Sequence, residues 1–116
     1  MKLATISLGL ALIAGPALAD PSGSYTVDGK SPDGSTYKGT ATISKTGDTY
    51  KVVWSIGSDK FIGTGVGDDS FLAVGYKSGS DTGIAIYSRE DKDWKGIWTY
   101  QGGTALGTER LVPKSK

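Results

Sequence analysis

The chain has 116 residues, 13 Lys and Arg against 12 Asp and Glu, 18 glycines, and neither histidine nor cysteine. The two missing residue types exclude Ser-His-Asp and Cys-His catalysis, thiol redox chemistry and the usual zinc, copper and haem ligands. A net charge of +1 gives no broad field to gather nucleic acid or anionic lipid, and the length suits one domain.

The opening MKLATISLGLALIAGPALA has Lys2, an apolar run from Leu3 to Ala14, a Gly15-Pro16 break and Ala17-Leu18-Ala19 before Asp20. That order predicts a secretory signal peptide over 1–19, cut at an A-x-A site. The apolar run is too short for a membrane span, which needs roughly 20 residues, so export rather than anchoring is expected. The domain is then 20–116, periplasmic or secreted, with no membrane span after processing. Loss of Lys2 leaves it with equal numbers of basic and acidic side chains. Without disulfides its stability must come from packing, which a domain near this size can supply.

From Gly23 onward, alternating runs are closed by turn signals. Gly23 to Gly29 places Tyr25 and Val27 on one face, and Pro32-Asp33-Gly34 turns the chain. Thr36 to Ser44 aligns Tyr37, Gly39, Ala41 and Ile43; after the Thr46-Gly47-Asp48 turn, Thr49 to Ile56 aligns Tyr50, Val52, Trp54 and Ile56. Phe61 to Gly67 and Phe71 to Tyr76 are divided by Asp68-Asp69-Ser70. Thr82 to Tyr87 and Trp94 to Tyr100 are divided by the charged run Arg89 to Asp93, and Ala105 to Leu111 closes the set.

Eight short strands at regular spacing predict an all-β, up-and-down antiparallel sheet. Closure into an eight-stranded barrel removes both exposed edges and leaves an interior filled by side chains or able to hold one small ligand. The glycines inside strands suit the strong coiling of a small barrel. A two-sheet sandwich is the rival arrangement.

Strand parity puts Glu109 on the same face as Ala105, Gly107 and Leu111, so a carboxylate is expected in the interior. It is either the polar end of a binding cavity or a buried structural acceptor. In the structural role it accepts hydrogen bonds from tyrosine hydroxyls, an indole N–H or backbone amides, while Arg110 points outward. A carboxylate hydrolase would need a second acid nearby, and no other acid falls on an interior strand position. Asp68, Asp69, Asp91 and Asp93 lack the spaced ligands of a calcium loop and are read as turn residues; neither metal nor cofactor is expected.

Tyr25, Tyr37, Tyr50, Trp54, Trp98 and Tyr100 fall on the inward face, as core or as the lining of an open mouth. A barrel for a small apolar ligand implies an interior cavity of roughly 300 Å³ or more. Trp94 opens its strand beside the charged loop, so Trp94 and Arg89 are the expected protein-contact pair at the rim.

The segments GSYTVDGKSPDGSTYKGTATI, TYKVVW, FLAVGY, GIAIY and WKGIWTYQGGTALGTERL together resemble a family of small exported bacterial proteins, many alphaproteobacterial. Its members are commonly labelled fibronectin-binding proteins or left uncharacterised. The resemblance covers nearly the whole chain after the leader. It is carried most specifically by the Pro32-Asp33-Gly34-Ser35 turn and by Gly96, Trp98, Gly102, Gly107, Glu109 and Leu111. It implies export, a shared fold, and fibronectin or another extracellular-matrix protein as partner. Such recognition would use a folded surface or a sheet edge, because the chain lacks the disordered repeats by which other binders add strands to fibronectin. The sequence thus points to an exported, non-enzymatic binding protein. A periplasmic small-ligand barrel of lipocalin- or avidin-like shape is the alternative, and a carboxylate hydrolase a more distant one.

Overall fold

A computed structural model describes residues 19–114, so the expected leader, apart from Ala19, lies outside the described residues. Eight strands follow one another: β1 Gly23–Lys30, β2 Thr36–Thr46, β3 Thr49–Ile56, β4 Asp59–Gly67, β5 Phe71–Ser78, β6 Asp81–Glu90, β7 Asp93–Tyr100 and β8 Gly107–Pro113. Each pairs antiparallel with its neighbour in sequence, and β8 returns to β1 with a register from Tyr25↔Pro113 to Lys30↔Thr108. The sheet is a closed up-and-down barrel, not a sandwich. Closure satisfies the strand ladders on both sides and removes the free edge on which strand addition depends.

Side chains alternate between core and outer wall in every strand. Tyr25, Val27, Ala41, Ile43, Val52, Leu72, Val74 and Leu111 belong to one buried cluster, while Ser24, Thr26, Asp28, Lys38, Thr40 and Thr42 face outward. The outer wall is polar along β1 and β2 but carries exposed Ile62, Val66, Phe71, Ile84, Ile86 and Ile97 across β4 to β7. Among the described residues no helix is long and apolar enough to cross a membrane.

Four hairpins have two-residue loops, and their first loop residues are Gly47, Gly57, Gly79 and Asp91, all at φ near +60°. Their second residues do not share the positive φ, which is the pattern of the type II′ turns that match strand twist. Asp91 therefore takes a position that glycine fills in the other three. The charged run expected as a five-residue loop is in fact mostly strand: Arg89 and Glu90 end β6, Asp93 begins β7, and only Asp91 and Lys92 form the turn.

The longer β1–β2 connection is closed by Gly34 N–H donating to the Ser31 carbonyl at 2.8 Å, with Pro32 and Asp33 between them. Proline's fixed φ suits the second residue of such a turn. Asp33 Oδ1 then accepts from the backbone and hydroxyl of Ser35, and Asp68 Oδ1 does the same with Ser70 in the β4–β5 connection. These serine donors hold both carboxyls below the usual carboxylate range. Both acids thus complete their own turns.

The two ends of the barrel differ. At the end carrying the β2–β3, β4–β5 and β6–β7 turns, Asp20–Ser22 acts as a plug, with Pro21 buried and its carbonyl accepting from Tyr25 Oη at 2.6 Å. Trp94 packs here too. At the opposite end, the β1–β2, β3–β4, β5–β6 and β7–β8 connections surround an opening into the interior.

Candidate functional site

Beneath that opening lies a cavity of about 200 Å³, walled by Tyr37, Trp54, Phe61, Tyr76, Tyr87 and Trp98, with Ile56 and Ala85 filling between the rings. Glu109 forms part of its wall at depth, and Ser31 and Asp59 belong to its rim. The cavity is smaller than the roughly 300 Å³ expected of a barrel for a small apolar ligand. It is larger than the 150 Å³ engineered cavity that admits benzene.

Pairs of glycine and aromatic residues across adjacent strands build this wall. Gly29 lies opposite Tyr37, Gly96 opposite Tyr87, Gly83 opposite Tyr76 and Gly107 opposite Trp98. A Cβ at any of these glycines would come within 2.1 to 2.4 Å of the facing side chain. The glycines leave the backbone bare so that large rings can lie across it, an arrangement known to pin strand register. Strand glycines read as aids to coiling therefore have a second role as seats for aromatic rings.

Glu109 is flanked by two of those seats, pairing with Gly29 on one side and Gly96 on the other. The rings over them bring their hydroxyls to its carboxylate: Tyr37 donates to Oε1 at 2.6 Å and Tyr87 donates to Oε2 at 2.5 Å. Trp54 Nε1–H donates to Oε2 at 2.9 Å from across the barrel. Glu109 is only 7% exposed, and among the described residues no lysine or arginine forms an ion pair with it. Arg110, its neighbour in sequence, lies on the other face and pairs instead with Glu90 at 2.5 Å and Asp93 at 2.9 Å.

Burial, and then the Glu109 carboxylate, push the ionisation of Tyr87 and Tyr37 far above the ordinary tyrosine range. The same two causes push Tyr76 up to about 12. These hydroxyls therefore remain protonated donors at neutral pH. Three neutral donors hold the carboxylate, and its Oε1 retains an unused acceptor position.

The other residues read from sequence divide by depth. Tyr25, Tyr50 and Trp54 are buried, whereas Tyr37 and Trp98 are half-buried in the cavity wall. Tyr100 does not join them: it is 49% exposed. β8 ends its pairing with β7 at Trp98↔Gly107, so no strand covers Tyr100 on that side despite its inward parity.

Trp94 is also corrected, for it is 1% exposed and is not a rim contact. β6 and β8 extend far enough to pair with it, through Arg89 and Leu111, and bring it inside. Arg89 lies over its ring, 4.5 Å from the centroid, and Arg89 Nε donates to the Asp69 carbonyl at 2.6 Å. Its Nη2 donates to the carbonyl of Ala19. The pair caps the plugged end of the barrel.

Phe61, Tyr76 and Tyr87 join the interior aromatic set beyond the residues expected there, and the period of two that marks Trp54 marks them as well. Asp59 reaches the rim because β4 begins two residues before its expected start at Phe61. No protein-family model and no curated protein matches this chain.

Proposed function

We propose that this protein is an exported, non-catalytic binding barrel whose site is the aromatic cup above Glu109. The observation that carries the reading is an open cavity lined by six aromatic rings with one hydrogen-bonded carboxylate at depth. Ligand sites commonly combine apolar walls with a few placed polar groups. The leader-like residues 1–19 support export.

The geometry favours binding over turnover. Both Glu109 oxygens are engaged by donors, and Asp59, the second acid at the cavity, sits exposed at the rim. A pair of carboxyls flanking a scissile bond calls for two acids facing a substrate within the cleft. The size of the cup restricts its occupant to a small molecule or to one group of a larger one.

The test is a thermal-unfolding screen of the chain from Asp20 against small apolar, aromatic and charged compounds, followed by Ala85→Val. Ala85 is buried in the cavity wall, so the added methyls reduce the space available. The expected result is a compound that raises Tm in the parent and loses its effect in the variant. A screen in which no compound raises Tm rejects the reading.

One feature of the outer wall favours a second reading, in which an extracellular-matrix protein such as fibronectin is the partner, as the family resemblance implies. Val66, Ala73, Ile86 and Ile97 lie in one row across β4 to β7, each paired with the next. Ile86 and Ile97 are 49% and 46% exposed. Contiguous exposed apolar surface marks protein contact sites. Immobilised fibronectin should capture the parent but not an Ile86→Lys, Ile97→Lys double variant; equal capture of both removes this surface, and capture of neither removes fibronectin.

A further inference from the structure

We infer that the cup selects a small organic cation, and specifically a quaternary or otherwise alkylated ammonium group. This inference rests on the cup being a ligand site and concerns the class of ligand it takes. Three observations carry it.

The first is charge. Among the described residues two acidic side chains and no basic one belong to the cavity wall: Glu109 at depth and Asp59 at the rim. Glu109 is held by neutral donors alone. Burying a carboxylate without a cationic partner is costly, and a cationic ligand would supply that partner. An anionic ligand would meet two like charges and no countercharge.

The second is the wall itself. Trp54 and Tyr76 meet edge to face with centroids 5.7 Å apart, Phe61 and Tyr76 at 6.0 Å, and Tyr37 and Trp98 at 6.1 Å. Neighbouring rings of the wall therefore stand at steep angles to one another around the cavity. Ring faces carry the negative end of the aromatic quadrupole, and cages of this kind bind alkylated ammonium groups. A flat neutral ligand would be better served by parallel walls.

The third is size. A cavity of about 200 Å³ somewhat exceeds the one that holds benzene, which is the size class of a trimethylammonium head. The open end lets a longer substituent extend into solvent past Ser31 and Asp59. An ammonium that retains an N–H could also donate to the free position on Glu109 Oε1, while a fully alkylated one relies on charge and ring faces alone.

The test uses choline and its uncharged carbon isostere, dimethylbutanol, titrated into the chain from Asp20 by calorimetry and followed by tryptophan fluorescence. Choline should bind about tenfold or more tightly than the isostere, a difference in keeping with desolvated cation–π contacts. Glu109→Gln should remove most of that preference. Should that variant fail to fold, Trp98→Leu, which spares the carboxylate, should weaken choline more than the isostere. Isostere binding as tight as choline's overturns the cation inference and leaves the ligand site standing. Binding of neither, in a protein that the compound screen also leaves unshifted, overturns both.

Discussion

Tyr87 lies across bare backbone at Gly96 and ends on the next residue of the ladder: Gly96 pairs with both Tyr87 and Glu109, and the Tyr87 hydroxyl donates to Glu109 Oε2 at 2.5 Å. The same construction is repeated on the other side of β8, where Gly29 pairs with both Tyr37 and Glu109 and Tyr37 donates to Oε1. Glu109 thus joins β8 to β2 and β6, which it does not adjoin in the sheet. Trp54 extends the link to β3. The carboxylate that could serve a ligand also fastens the last strand of the barrel.

Glu109→Ala leaves two tyrosine hydroxyls and a buried indole N–H without their acceptor. Orphaning buried donors costs about 1 to 3 kcal/mol, and a loss in that range is the expected result of urea unfolding. Glu109→Gln should lose less, because its amide oxygen can accept from Trp54 and Tyr87 while its NH₂ donates to a reoriented Tyr37 hydroxyl. If both variants matched the parent in stability, the fastening role would be wrong.

Gly96→Ala tests the ring seats. Its Cβ would stand 2.4 Å from the Tyr87 ring, and that ring is buried and tethered to Glu109, so it cannot swing aside. Overpacking of this kind costs about 1 to 3 kcal/mol. Gly75→Ala is the control, since Gly75 faces outward and an added methyl there would meet nothing within 4 Å, so it should be neutral or slightly stabilising. Equal effects from the two would show that ring crowding is not what the glycines avoid.

Much of this architecture is legible in the sequence because a period of two is a local property. Tyr25, Val27, Tyr50, Val52 and Trp54 can be assigned to the interior from their own strands alone. Where each strand stops is not local. Tyr100 keeps inward parity but outruns its neighbour β8, whereas Trp94 is brought inside by the far ends of β6 and β8. The carboxylate was legible as an interior polar group among apolar neighbours. Its three donors were not, since the register that brings Tyr37, Trp54 and Tyr87 to one point is set by closure of the whole barrel. The cavity depends on the same closure, because its lining residues come from strands distant in sequence.

The tyrosine cluster makes the fold sensitive to alkali. Burial, and next the Glu109 carboxylate, raise Tyr76 to about 12 and push Tyr37 and Tyr87 well above the ordinary tyrosine range, against about 10 for an unfolded chain. Between those values the folded protein holds protons that the unfolded chain has released, so stability must fall as pH rises. The contribution is whole below pH about 10 and is lost progressively above it. Each such hydroxyl contributes a limiting slope of about 1.4 kcal/mol per pH unit, over a window that narrows where solvent screening reduces the shift. Urea midpoints should therefore be level from pH 8 to about 10 and then decline, with tyrosinate absorbance lagging in the folded state. Tyr87→Phe removes one titrating group and should flatten the decline even though it lowers the midpoint at neutral pH, because Glu109 loses a donor. An alkaline decline unchanged in that variant would place the titration outside the cluster around Glu109.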